Sequence, residues 1–244
     1  MYILLSPAKR QKIAPTTDVT PLLFLQQVKQ LDKLLKTYAP WQLERDMKLS
    51  PALAVEVFAL LQDFDIKQQN TPAILAFEGL AYTHLQANTL TPQQLKYAQD
   101  HLLILSGLYG ALRPMDGIAP HRLEVGSKVK VNGQNLYRYW GNRVAKYLQQ
   151  QGQVVCNLAS KEYSKMVLPH LPSSVPVVQV RFFTKIHGKL TEQATYAKMA
   201  RGELCRYIIQ NQIDDPIDIV KFSPQGFGIC PALCTGEELV YIRE

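Results

Sequence analysis

Apolar side chains recur along this chain with two different periods, and the changes of period mark its elements. The opening run Tyr2-Ile3-Leu4-Leu5 predicts a strand that ends in Ser6-Pro7-Ala8-Lys9. A polar loop follows to about Pro21. From Leu22 to about Tyr38 the positions Leu22, Leu25, Val28, Leu31, Leu34 and Leu35 have the spacing of an amphipathic helix. Trp41 opens a short helical turn, and Ser50-Pro51 starts a helix with Leu53, Val57, Leu60, Leu61 and Phe64 turned inward. Pro72 to Phe77 fits either a short strand or a helical turn. Thr91-Pro92-Gln93-Gln94 is a capping box with proline at the first helical position. Leu95, Ala98, Leu102 and Leu105 then share a helical face, and Gly107 is the expected stop.

Farther on, Lys128-Val129-Lys130-Val131 alternates and Asn132-Gly133 predicts a hairpin. Asn135 to Gln151 reads as a helix ended by Gly152, and Val154 to Leu158 as a buried strand. Ser160 is a suitable N-cap for the helix carrying Glu162, Tyr163, Lys165 and Met166. A second hairpin joins Pro176–Thr184 to Lys189–Thr191 around His187-Gly188. A helix from about Ala194 to Gln210 and short strands near Val220 and at Leu239–Ile242 complete the pattern. With no internal repeat, low-complexity stretch or linker, it predicts one α+β domain over residues 1–244.

Composition changes this picture little. A hydrophobic fraction of 47% and a charged fraction of 19% are ordinary for a globular protein. No apolar run approaches the roughly 20 residues that span a bilayer, and the first residues lack a basic leader, so cytoplasmic residence is expected. Cys230 and Cys234 have no second Cys or His pair nearby, so reduced structural thiols are expected and no metal. Nor is there a haem, flavin, dinucleotide or P-loop fingerprint, so no cofactor is predicted.

Charge says more. The excess of 27 basic over 20 acidic side chains favours a polyanionic partner, and the basic residues crowd the second half of the chain. Lys9 follows the first strand; Arg113 and Arg122 lie on a loop stiffened by Pro114 and Pro120. Lys161 stands just after the Ser160 cap, at an expected helix N-terminus that favours anions, and Lys198 and Arg201 share a helix face. Such cations suit phosphate, the guanidinium forks giving bidentate contacts. Asp116, Glu124 and Glu162 stand among them, either to orient the arginines or to act as acids and bases.

The order of Leu5-Ser6-Pro7-Ala8-Lys9, Ala76-Phe77-Glu78-Gly79, Leu105-Ser106-Gly107-Leu108-Tyr109-Gly110, Leu112-Arg113-Pro114, Arg122-Leu123-Glu124, Asn157-Leu158-Ala159-Ser160 and Ala200-Arg201-Gly202 resembles the YaaA family, the peroxide stress protein family, along essentially the whole chain. Here Glu78 replaces the usual lysine, Leu80 an acidic residue and His121 a tyrosine. The resemblance implies a cytoplasmic DNA-binding protein made under hydrogen peroxide stress and associated with limiting intracellular iron. It also implies an α+β architecture, a mixed sheet surrounded by helices, with a positive cleft and a helix-hairpin-helix-like element. That element would fall at the helix ending near Leu105, with Gly107, Tyr109 and Gly110 offering backbone N–H groups to phosphates. Pro114 and Asp116-Gly117 leave little room for its second helix.

The leading expectation is therefore a binder of duplex DNA without strong sequence preference, using Lys9, Gly107, Tyr109, Gly110, Arg113, Arg122, Lys161, Lys198 and Arg201, with no membrane and no obligate protein partner. The alternative is an enzyme acting on a small phosphorylated or nucleotide-like substrate through Lys9, Asp116, Arg122, Glu124, Lys161 and Glu162.

Overall fold

The computed structural model describes residues 1–16 and 18–244; of the polar loop before the first long helix, Thr17 lies outside the described residues. The principal sheet has eight strands: β1 (Tyr2–Leu5), β2 (Leu102–Ser106), β3 (Gly110–Leu112), β4 (Val155–Asn157), β5 (Val177–Ile186), β6 (Lys189–Thr191), β7 (Gly228–Ile229) and β8 (Glu238–Arg243). They lie in the order β7-β8-β5-β4-β1-β2-β3, with β6 folded back on β5. The central set β8, β5, β4, β1 and β2 is parallel, and β3, β6 and β7 are antiparallel additions. Every residue of β1, β2 and β4 is buried, which is why these strands read as continuous apolar runs rather than alternating ones.

Among the described residues ten α-helices complete the α+β fold: α1 (Leu25–Leu35), α2 (Pro40–Met47), α3 (Pro51–Gln62), α4 (Ala73–Ala76), α5 (Leu80–Leu85), α6 (Pro92–His101), α7 (Leu136–Trp140), α8 (Arg143–Gln151), α9 (Lys161–Ser164) and α10 (Ala194–Asn211). The capping box of α6 is present, Thr91 accepting from the Gln94 N–H and Gln94 from the Thr91 N–H. The Asn132-Gly133 hairpin also forms, both residues at positive φ (50° and 77°) as a tight two-residue turn demands. α10 packs on β5, α5 and α6, so it braces one side of the sheet.

Three expectations are corrected. The helix predicted to reach Leu105 ends at His101, and Leu102–Ser106 is a strand paired with β1 and β3. Leu102 and Leu105 keep helical spacing with Leu95 and Ala98, but the apolar run Leu102-Leu103-Ile104-Leu105 has no polar face and belongs between two strands. Leu105–Gly110 is thus part of a β-hairpin, not the first half of a helix-hairpin-helix. The helix predicted over Asn135–Gln151 breaks at Gly141, whose φ of 46° ends α7. Finally, the strand expected near Val220 is a 3₁₀ helix, Pro216–Lys221, which Asp215 caps through the Ile217 N–H.

Candidate functional site

In an open sheet, chain connections that leave a parallel strand in opposite directions open a crevice beyond the carboxyl ends of the strands. Here the chain leaves β1 for β2 on one side and later places β4 on the other. The loops after β1 and β4, Ser6–Lys9 and Leu158–Ser160, flank that crevice and are stitched together by Ser6. Its hydroxyl accepts from the Ser160 N–H at 2.8 Å and donates to the Ser160 hydroxyl at 3.1 Å. Tyr82 of α5 donates to the Ser6 carbonyl at 2.9 Å.

The crevice deepens into a cavity of about 370 Å³. Lys9, Arg122, Glu124, Glu162, Lys198 and Arg201, all expected from the sequence, line it together. Sequence reasoning missed Arg10, Ser6, Ser160, Tyr82, Tyr163 and His121 as lining residues. Glu124 is the ionic centre: its Oε1 lies 3.2 Å from Arg122 and 3.5 Å from Lys9. Neither cation is aligned to hydrogen-bond it, and both carboxylate oxygens and the Arg122 Nε are buried without a partner. Arg201 donates to Glu192 at 2.8 Å, and its buried Nε is likewise unpartnered. Burial pulls the Arg201 guanidinium below its ordinary value, against Glu192, and it stays charged at neutral pH. Burial drives Tyr82 and Tyr163 upward, so both are neutral phenols.

Other expected site residues lie elsewhere. Gly107, Tyr109 and Gly110 are buried in the β2–β3 hairpin and present no surface to a ligand. Tyr109 accepts from the Ala119 N–H at 3.1 Å, the Gly107 carbonyl accepts from the Trp140 indole at 2.9 Å, and a side chain on Gly110 would lie 2.6 Å from that indole. A side chain on Gly107 would collide with the Leu123 carbonyl, so this glycine backs the Arg122–Glu124 segment from behind. Arg113 is outside the cavity; it donates to Asp116 at 3.0 Å and to the Pro21 carbonyl at 2.7 Å. Asp116 is fully buried and also accepts from Thr20 at 2.6 Å. Burial raises its carboxyl, with Thr20 and Arg113 pulling the other way. Lys161 is exposed and outside the lining, on a helix of one turn whose expected cap, Ser160, spends its hydroxyl on Ser6.

His121 forms part of the cavity floor between Tyr109 and Phe77. Burial pushes its imidazole down to about 4 from 6.5, although its ring N–H reaches the Ala119 carbonyl at 2.9 Å. The unfolded chain takes up this proton more readily than the folded one. His121 therefore contributes stability that is present above about pH 6.5 and lost as pH falls through about 4, up to about 3 kcal/mol. A His121→Phe variant is expected to show a shallower fall of Tm between those pH values, and an unchanged slope would refute the assignment.

Among the described residues no group of three or more His, Cys, Asp and Glu side chains is placed to hold a metal ion, and no helix is long and apolar enough to cross a membrane.

Fold and cavity together define a class, the α+β proteins with a pocket lined by charged side chains beyond the carboxyl ends of parallel strands. The family described as "Peroxide stress protein YaaA" matches residues 1–233, and the chain belongs to that family. Relatives named "UPF0246 protein" agree. One from Limosilactobacillus fermentum is 40% identical over 247 residues, covering 100% of both chains. One from Francisella tularensis is 37% identical over 255 residues, again 100% of both. One from Agathobacter rectalis is 34% identical over 248 residues, 100% of this chain and 99% of its own.

Proposed function

We propose that this peroxide stress protein binds duplex DNA in the cytoplasm without strong sequence preference, through phosphate contacts. The observation that carries the reading is the gathering of Lys9, Arg10, Arg122, Lys198 and Arg201 around one concave site, with two guanidinium Nε groups left unpartnered. A second feature supports it. α2 and α3 pack together and are joined only by Lys48-Leu49-Ser50, with Lys48 left-handed at φ 54° and Ser50 capping α3. This is the helix-turn-helix shape in which a hairpin and a following helix N-terminus meet backbone phosphates. The exposed cations Arg45, Lys48, Lys128 and Lys130 surround it, Lys128 being tied to α2 by its N–H on the Asp46 carbonyl at 2.7 Å. Pro40–Gln62 is where we propose that the helix-hairpin-helix element implied by the resemblance lies.

The test is a binding titration over a salt series with two duplexes of unrelated sequence. Log affinity should fall linearly with log salt, equally for both, with a slope of about −4.5 if each of the five cavity cations displaces one counterion. Absent binding at low salt, or binding indifferent to salt, would remove the proposal.

Glu124 and Glu162 inside the same cavity favour a second reading, an enzyme acting on a small phosphorylated or nucleotide-like substrate. A melting shift produced by one compound of a nucleotide panel, with none from duplexes, would favour it over DNA binding.

A further inference from the structure

The cavity has two unlike sides. One is ionic, built by Lys9, Arg122, Glu124 and Arg201. The other is apolar and aromatic, built by Phe77, Tyr82, Leu158 and Tyr163, with the Phe77 and Tyr82 rings 5.3 Å apart. A bare phosphate would satisfy the first side and leave the second facing water. A duplex can lay its phosphates against the exposed cations Lys9, Arg10 and Lys198 but is far too wide to enter a volume of about 370 Å³, which lies toward the small end of pockets that enclose a single small ligand.

The unmet hydrogen-bonding groups narrow the ligand further. Arg122 Nε and Arg201 Nε are buried donors without acceptors, and the Glu124 oxygens are buried acceptors without aligned donors. A ligand that completes both sets carries anionic oxygens and also N–H or O–H groups. The aromatic side adds a flat body that stacks on rings. We propose that the cavity seats a single nucleotide unit, with its phosphate toward Lys9, Arg122 and Arg201, its base toward Tyr82 and Tyr163, and a base amino group or sugar hydroxyl donating to Glu124. The inference rests on the phosphate-binding reading above and names the unit that enters. That unit has two sources, a free mononucleotide or a nucleotide swung out of bound DNA. The second source predicts preference for a mismatched position, because unpairing there costs least.

The experiment uses the full chain, a paired duplex, the same duplex with one central mismatch, and the free deoxynucleoside monophosphates. Leu80, 38% exposed, lines the cavity mouth from the first turn of α5, and Leu80→Trp should obstruct that mouth without changing charge. The expected result is that the mismatched duplex binds about tenfold tighter than the paired one and is displaced by a free mononucleotide. Leu80→Trp should erase that preference, bringing the ratio of mismatched to paired affinity to about one. Stoichiometric binding of a mononucleotide, lost in Leu80→Trp and unaccompanied by mismatch preference, also upholds the seat and assigns its occupant to solution. A folded Leu80→Trp that keeps the mismatch preference overturns the proposal, as does a wild-type protein showing neither that preference nor mononucleotide binding. In the latter case salt-dependent binding of paired DNA would still uphold the duplex reading. Mononucleotide binding with no duplex binding at any salt would remove that reading and leave the seat. Should the variant fail to fold by circular dichroism, wild-type competition decides: displacement of the mismatched duplex by a mononucleotide supports the seat, and failure to displace it overturns it.

Discussion

Replacing Gly202 by alanine is expected to destabilise the protein by about 3 kcal/mol or more, a fall in Tm of roughly 10 °C. Gly202 is buried in α10 where that helix crosses α5, and an added Cβ would collide with the Ala81 carbonyl. The obstacle is backbone, so no side chain can swing aside, and the two helices must separate. Arg206 of α10 also holds the end of α5, donating to the Leu85 carbonyl at 2.9 Å, which ties the interface to the placement of Tyr82 in the cavity. Thermal melting checks this, with Gly236→Ala as the control, because a Cβ there meets nothing within 4 Å. A Gly202→Ala protein that melts with the wild type would sink the argument.

The second large effect is on binding. Arg122→Ala should weaken duplex affinity between about tenfold and about a hundredfold, since a charge-assisted hydrogen bond is worth about 1.5–3 kcal/mol. The salt slope should become shallower by about 0.9, because one fewer phosphate is neutralised. Arg122→Lys should fall between, keeping the charge but not the fork. Arg113→Ala is expected to behave differently, because its guanidinium serves the buried Asp116 and the Pro21 carbonyl. Its removal should appear in Tm, with the salt slope unchanged. Equal affinities and slopes for wild type and Arg122→Ala, in anisotropy titrations, would place phosphate recognition elsewhere.

Much of the framework is legible in the amino-acid order, and the reason is local. Tyr2–Leu5 and Val155–Asn157 are apolar runs bounded by loops, and the Asn132-Gly133 and His187-Gly188 turns each place both residues at positive φ. Such signals need only a few neighbouring residues. Pattern and structure part where a local pattern has two solutions. Leu102 to Leu105 continues a helical stripe by coincidence while tertiary pairing with β1 makes it a strand. The site divides in the same way. Lys9, Arg122, Glu124, Glu162, Lys198 and Arg201 do meet, but through tertiary packing that no spacing along the chain encodes: β1 beside β4 brings Lys9 and Glu162 together, Gly107 backs the Arg122–Glu124 segment, and α10 on α5 brings Lys198 and Arg201. Arg113 and Asp116, three positions apart, satisfy one another inside the protein. The glycines of the central stretch are there for close packing, which the residue type announces without saying against what.

The position of β1 has a consequence for biosynthesis. Tyr2–Leu5 leaves the ribosome well before its hydrogen-bonding neighbours, Leu102–Ile104 and Val155–Asn157. At about 5–20 residues per second, an entirely apolar tetrapeptide waits on the order of ten seconds for its second edge to be translated. Nascent chains stalled before that point would carry a sticky, half-paired ribbon, so truncated products should depend on chaperones far more than the finished polypeptide does.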